Sequence, residues 1–575
     1  MKTLRVTTWV VLLCAATAAA SPAQTFNSLF SFDGTDGEYP FAALVQATNG
    51  DLYGTASTGG SNFGFGTVFK MTPGGILTTL YTFCSNGLVC PDGQYPSNGA
   101  LAQATNGDFY GTTTNGGANY GGTLFSITPG GTLTTLWTFC SLSNCADGDQ
   151  PAAGLVQATN GDLYGTTQYG GAADGGNVFK ITPGGALTTL YAFCSQPGCA
   201  DGSWPQASLV LATNGDLYGT TTTGGATNDG TVFKITPSGT LTTLHSFCAG
   251  NSCTNIEGSS PAAALIQAAN GDFYGTTVGG GAHNYGTVFS VTPTGTLATL
   301  YNFCSQTNCA DGQSPWGSLV QATNGDFYGT TQEGGDNNNG TVFKITPGGT
   351  LTTLYSFAGT GCGEGANGCP DGQWPYAGLV QDTNGDLYGS TRFGGIGDCN
   401  AGGPPPDNCG TIFRLVGLGP FASLTPRTGK QGASIEIFGQ GFSSASVVKF
   451  DGVAAASTTR ESTFISATVP AGALTGKVTV TTGATTLTSN TAFLVTPTVT
   501  SFSPPSGPVG TPVVLTGTGL TQTTRVTFGG VAATIVTVNS DTQVTADVPT
   551  SAVTGKIVIT TNGGSVESTT DFTVN

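Results

Sequence analysis

The sequence predicts an all-β chain: a seven-bladed β-propeller closed by its own N-terminal strand, then two immunoglobulin-like β-sandwiches. Three observations carry this. The string Asn-Gly-Asp-(Leu/Phe)-Tyr-Gly occurs seven times, with its Tyr at 53, 110, 164, 218, 274, 328 and 388. The composition suits strands and turns, with 91 Gly and 29 Pro in 575 residues and only 8% charged, where an ordinary domain has about 25%. With 38% hydrophobic residues, packed cores are affordable, while disorder, coiled coil and helical bundle are excluded. Finally, the last copy of the repeat lacks a strand that the start of the chain supplies.

Each repeat reads as four antiparallel strands, A to D. In the third, strand A is Gly154-Leu155-Val156-Gln157-Ala158, and an Asn-Gly turn leads to strand B, Asp162 to Thr167. A Gly-rich loop reaches strand C, Val178 to Thr182, and Pro183-Gly184-Gly185 turns into strand D, Leu187 to Phe193. The seventh copy stops after strand C at Thr411-Ile412-Phe413-Arg414-Leu415. Phe26-Asn27-Ser28-Leu29-Phe30-Ser31-Phe32 has the strand D pattern and precedes the first strand A. Closing the ring this way removes exposed sheet edges. The propeller is assigned to 24–416.

Residues 1–23 read as a secretory signal peptide: Lys2 and Arg5, an apolar stretch from Trp9 to Ala16, then small residues at Ala18-Ala19-Ala20. The stretch is too short to span a bilayer, which takes about 20 residues. Leu13 before Cys14 argues against lipidation. Fourteen cysteines remain, in near pairs: Cys84/Cys90, Cys140/Cys145, Cys194/Cys199, Cys248/Cys253, Cys304/Cys309, Cys362/Cys369 and Cys399/Cys409. Zinc would need two pairs to converge on one ion; seven local disulfides in an oxidising compartment is the preferred reading. The net charge of −17 makes nucleic acid a poor partner.

Beyond Gly417 cysteine disappears and Val and Thr dominate. Two similar units follow, 417–496 and 497–575. Leu424-Thr425-Pro426 … Ile435-Glu436-Ile437-Phe438-Gly439-Gln440-Gly441-Phe442 aligns with Phe502-Ser503-Pro504 … Val514-Leu515-Thr516-Gly517-Thr518-Gly519-Leu520. Short alternating strands of this length suggest sandwiches.

Two resemblances follow from these residues. Gly154-Leu155-Val156-Gln157, Asp162 to Thr167, and Gly340-Thr341-Val342-Phe343-Lys344 with Thr346-Pro347-Gly348-Gly349 resemble the GloVer tandem repeat of secreted bacterial proteins. That resemblance implies an exported surface protein and no defined reaction. Both tail units resemble the IPT/TIG domain through Pro-x-x-Gly and Gly-x-Gly-(Phe/Leu), which implies a stalk or interaction module. No hydrophobic sorting tail follows Asn575, unlike the anchored relatives.

Strand direction puts the A–B and C–D turns on one side of the ring and the B–C and D–A loops on the other. The loop side varies and carries the cysteines, so a binding site is expected there. The tail leaves from the turn side, because strand C of the seventh repeat ends there. Each D–A loop ends in acid-Gly-x-x-Pro, the acids being Asp36, Asp92, Asp147, Asp201, Glu257, Asp311 and Asp371. They read as a calcium ring or, preferred, as turn acceptors; no cofactor or metal is assigned. Tyr39, Tyr95, Trp204 and Trp374 precede that Pro, and Phe41, Trp316 and Tyr376 follow it. They read as sugar-stacking platforms or as packing between blades. The first B–C loop position varies most, with Gln332 followed by Glu333 and Arg392 by Phe393. Trp204, Trp316, Gln332, Glu333, Trp374, Tyr376 and Arg392 are the candidate ligand-binding residues.

No catalytic residue is assigned. His245 fills a Tyr slot of strand D, and His283 stands alone in a loop. The expected function is a secreted or cell-surface binding protein, non-enzymatic, with an extracellular glycan or a surface protein as partner, and monomeric. A glycan-degrading enzyme using the ring of carboxylates and a purely structural spacer are the alternatives.

Overall fold

The computed structural model describes residues 25–61, 64–85, 90–96, 99–158, 160–249, 257–357, 369–396 and 409–575. The expected leader, 1–23, lies outside them. The described chain is all-β, and its helical pieces are three single 3-10 turns, Ser143–Cys145, Pro197–Cys199 and Thr307–Cys309.

Residues 25–416 form seven antiparallel sheets of four repeat strands in the order A-B-C-D. Strand A of sheets one to seven is Val45–Gln46, Ala102–Gln103, Val156–Gln157, Val210–Leu211, Ile266–Gln267, Val320–Gln321 and Val380–Gln381. In sheet three the others are Leu163–Thr167, Asn177–Ile181 and Leu187–Ala192. Strand A is two residues long rather than the five expected. The backbone just before it bonds sideways to neighbouring sheets instead: Ala153 O accepts from Thr112 Oγ1 and Gly154 N donates to Ser208 Oγ.

In sheet seven the outer place is taken by Thr25–Ser31, paired antiparallel with Thr411–Val416. Phe26 stacks on Tyr355 of sheet six at 3.7 Å between ring centroids. Seven apolar clusters each join two sheets. They run from one to two, with Tyr53 and Phe109, through to six and seven, with Tyr328 and Phe413. The remaining cluster joins Tyr388, Ile412 and Phe32 of sheet seven to Leu44, Leu52 and Phe69 of sheet one. A polar series runs alongside. Gln103 Oε1 accepts from Thr48 N of the preceding sheet, Gln381 Oε1 from Thr323 N, and Gln46 Oε1 of sheet one from Thr383 N of sheet seven.

The repeated string is spent on making one hairpin. Asn49 Oδ1 accepts from Asp51 N, and its Nδ2 donates to the Tyr53 hydroxyl. Only the glycine of the pair takes positive φ, +86° at Gly50, and Gly50 N donates to Ala47 O. The connection is therefore a three-residue turn ending in a left-handed glycine, not a two-residue Asn-Gly turn. The Asp meets the base of strand C: Lys180 Nζ lies 3.7 Å from Asp162, Lys234 3.6 Å from Asp216, and Arg414 Nε 3.8 Å from Asp386. The Leu or Phe is buried, and the closing Gly lies under an aromatic ring. A Cβ at Gly165 would sit 2.6 Å from Phe179 Cζ and 2.7 Å from Leu155 Cδ2.

Two further pairs of sheets follow, each around its own core. Ile437, Phe450, Val478 and Phe493 fill the first, and Leu515, Phe528, Ile559 and Phe572 the second. Both have a four-stranded and a five-stranded sheet with corresponding strand order, including one short parallel pairing, Thr428–Gly429 with Thr485–Val495 and Ser506–Gly507 with Gly564–Val574. The first pair meets the A–B turn of sheet seven, where Phe421 N donates to Thr383 O and Gln440 Nε2 to Thr383 Oγ1.

Candidate functional site

The D–A loops are built first by their acids. Asp201, fully buried, accepts from the Tyr191 hydroxyl, from Ser195 N and Oγ and from Gln196 N. Asp311 and Asp147 repeat this, with the Trp137 indole N–H in place of the phenol for Asp147. In sheet four His245 holds the same slot, its Nε2 3.5 Å from Glu257. Asp147, Asp201 and Asp311 thus tie strand D to the start of their own loops, five or six residues upstream, rather than to the adjoining Gly. Phe30 holds that slot in the strand added to sheet seven and offers no donor. Burial there pushes Asp36 up to about 6. Among the described residues no group of three or more His, Cys, Asp or Glu is arranged to hold a metal.

The residue before the loop Pro is left-handed in all seven copies: Tyr39, Tyr95, Gln150, Trp204, Ser260, Ser314 and Trp374, with φ between 52° and 58°. Its N–H reaches a carbonyl of the preceding sheet, as Trp204 N to Gly175 O and Trp374 N to Asn339 O, and Tyr39 N of sheet one reaches Cys409 O of sheet seven. Its own C=O accepts from the first B–C residue, as Arg392 N to Trp374 O. Such backbone strain costs of order 1–3 kcal/mol and persists where the surroundings over-determine it; here two hydrogen bonds do so. The aromatic choice at some of these positions is therefore free of the backbone's demands.

The candidate residues fall into two groups. Trp316, Trp374, Tyr376 and Arg392 meet in one half-buried cluster. The Tyr376 ring lies 5.1 Å from Trp316 and 5.5 Å from Phe41, and Phe393 lies 5.3 Å from Trp374 and 5.2 Å from Tyr39. The Arg392 guanidinium lies over Phe393 at 4.6 Å, Phe41 at 4.8 Å and Tyr376 at 5.8 Å. Burial raises the Tyr376 phenol against the opposing pull of Arg392, and the charge of Glu333, which borders the cluster, adds to the rise. Its carboxylate takes a hydrogen bond from Gln313 Nε2 at 2.8 Å. Trp204 stands elsewhere, 39% exposed and edge-on to Tyr169 at 5.7 Å. Gln332 contributes its backbone N–H to Ser314 O. Phe41, Tyr39 and Phe393 join the cluster from outside the seven candidate residues. Phe41 and Tyr39 belong to sheet one, and only the contact between the chain's two ends brings them to sheet seven.

Disulfides join Cys84 to Cys90, Cys140 to Cys145, Cys194 to Cys199 and Cys304 to Cys309. Cys248, Cys369 and Cys409 are also disulfide-bonded; the expected partners Cys253, Cys362 and Cys399 lie outside the described residues. No described helix is long and apolar enough to cross a membrane.

The repeat geometry and the sequence agree on a class, an all-β protein of tandem four-stranded sheets. The Gloeobacter/Verrucomicrobia repeat matches residues 87–257 and 251–463, well over half the chain, and the protein belongs to that family. The IPT/TIG domain matches 497–574. No curated protein matches. Among solved structures, a fungal alcohol oxidase of the AA5 family in complex with copper is similar at 12% identity, TM-score 0.46, covering 81% of this chain and 99% of its own. A surface glycan-binding protein of Prevotella bryantii is similar at 18% identity and TM-score 0.21, over 25% of this chain and 38% of its own. A protein of unknown function from Dyadobacter fermentans has 12% identity and TM-score 0.36, over 69% of this chain and all of its own.

Proposed function

We propose that this is a secreted or cell-surface carbohydrate-binding protein, with a closed seven-bladed β-propeller head carried on two IPT/TIG-like sandwiches. Closure is supported by the pairing of Thr25–Ser31 with Thr411–Val416, and by the apolar, Gln–Thr and Tyr39–Cys409 links between sheets seven and one. The second IPT/TIG-like unit, 417–496, is supported by its strand order, which repeats that of 497–575. Local disulfides and a signal-like leader support export.

The observation that carries the binding reading is the aromatic cluster of Trp316, Tyr376, Phe41, Arg392 and Phe393, half-buried on the loop side. Rigid aromatics with an arginine are the composition of binding hot spots, and flat rings present the apolar platform a pyranose face needs. The first sandwich meets the opposite, turn side, which supports a free loop side. Catalysis by the ring of acids is disfavoured, because Asp147, Asp201 and Asp311 already accept four hydrogen bonds each. The reading needs no cofactor, and the acidic charge disfavours nucleic acid.

A glycan array probed with the purified chain, then product analysis of each hit, tests this. Binding without product, lost in Trp316→Ala with folding intact, is expected. Released product would replace the reading with a glycan-degrading enzyme, and an empty array would leave the spacer.

A further inference from the structure

Residues 24–416 hold six basic side chains: Lys70, Lys180, Lys234, Lys344, Arg392 and Arg414. Five occupy one equivalent place, strand C opposite the motif Tyr, as in the pairing of Tyr53 with Lys70 and Tyr388 with Arg414. Four of these are seen within 4 Å of the Asp of the adjoining turn. Arg392 alone departs, standing on the loop side where its repeat counterparts are Ser57, Thr114, Gln168, Thr222, Val278 and Gln332. The loop side is otherwise acidic, with Asp36, Glu38, Asp149, Glu333 and Asp336 among its residues.

A cation in such surroundings normally pairs with a carboxylate. Arg392 instead lies on three rings, makes no ion pair among the described residues, and keeps its Nε buried without a hydrogen-bond partner. Glu333, the acid nearest the cluster in its effect on Tyr376, is engaged by Gln313. The rings compensate part of the cost of desolvating the guanidinium. They also hold it flat, so its fork is oriented before a ligand arrives.

We infer that this cluster takes a uronate, a sugar ring bearing a carboxylate, with the carboxylate on Arg392 and a ring face on Trp316 or Tyr376. The inference rests on the carbohydrate-binding reading and deepens it. A planar guanidinium matches a carboxylate with two parallel N–H···O bonds, which are stronger than neutral ones. The surrounding acids repel the same carboxylate everywhere else on that side, so a single cation fixes the ligand's orientation.

The test uses the full secreted chain and three polymers: polygalacturonate, alginate and hyaluronan. Each is paired with its carboxyl-reduced, neutral form. Titration is followed by tryptophan fluorescence and calorimetry. At least one native polymer should bind ten-fold or more tighter than its reduced form, and tenfold salt should narrow the gap. Arg392→Gln should abolish that preference with unchanged thermal unfolding, while Arg392→Lys should retain part of it. Equal affinity for native and reduced forms, or a preference surviving Arg392→Gln, overturns the uronate assignment and leaves carbohydrate binding standing. Absence of binding to all six polymers, with binding to neutral glycans on the array, also overturns it. An array empty throughout overturns both.

Discussion

The acids of the D–A loops differ in the donor that the preceding strand offers them. Tyr191 and Tyr301 donate a phenol to Asp201 and Asp311, and Trp137 an indole N–H to Asp147. Phe30 donates nothing, and burial raises Asp36 to about 6. Phe30→Tyr should therefore lower the Asp36 carboxyl and add about 1 kcal/mol of stability at pH 7, read by carboxyl NMR titration and denaturant unfolding. No change in either would show that the slot geometry differs in sheet seven. The Gly of the repeated Tyr-Gly pair makes a second case. Its absent side chain leaves room for Phe179, so Gly165→Ala should cost about 1–3 kcal/mol through overpacking. Gly184→Ala, in open space on a turn, should cost little, and similar melting shifts for the two would count against the packing account.

At the scale of the strand, Thr25–Ser31 is the element on which the proposed ring closure depends. It gives sheet seven its outer strand, seats Phe26 on Tyr355, and buries Phe32 in the cluster shared with sheet one. Deleting 25–32 exposes the edge of Thr411–Val416 and opens that cluster. Losing two large core side chains costs on the order of 3–5 kcal/mol each, so the deletion should lower the melting temperature sharply and promote aggregation through the bared edge. Melting within two degrees of the intact chain would refute closure. This element was legible because Phe26 to Phe32 repeats the strand D spacing, which period-two burial imposes on any strand in that place. The two-residue strand A was not legible. Its neighbours' bonds are set by Thr112 and Ser208, some forty to fifty residues away in sequence.

Across the whole molecule, the joint between the repeat region and the first sandwich carries a titratable group. Asp382 stands where other repeats have Ala. It is fully buried and accepts from Gln46 Nε2 and Thr383 Oγ1, beside the Gln440 contact, while its Oδ2 has no partner. Burial pushes its carboxyl up to about 6. A carboxyl raised on folding favours the folded state while protonated, so this contribution is full below about pH 4 and lost as pH rises through 6. Asp382→Asn should therefore stabilise the chain at pH 8 by about 1–3 kcal/mol and scarcely at pH 4, in parallel melts at both values. Equal shifts at the two would show that the carboxyl stays ionised throughout.

The sequence by itself determined the repeat number, the all-β class, a hairpin at each Asn-Gly-Asp-(Leu/Phe)-Tyr-Gly string, the local cysteine pairing at four loops, and the match of Phe26–Phe32 with the strand missing from the seventh repeat. Strand pattern, hairpins and neighbouring thiols are set within a few residues, and the end-to-end match is readable because each strand D repeats the same local pattern. Only the tertiary structure decided which loop residues share a site. Trp316, Tyr376 and Arg392 converge with Phe41, while Trp204 is left apart with Tyr169. It also decided that Asp147, Asp201 and Asp311 are hydrogen-bonded to strand D. Both outcomes depend on contacts between sheets, and Phe41 meets Arg392 across some 350 residues of chain because the first sheet packs against the last. Spacing along one repeat does not say which loop side chains of the next sheet it will touch.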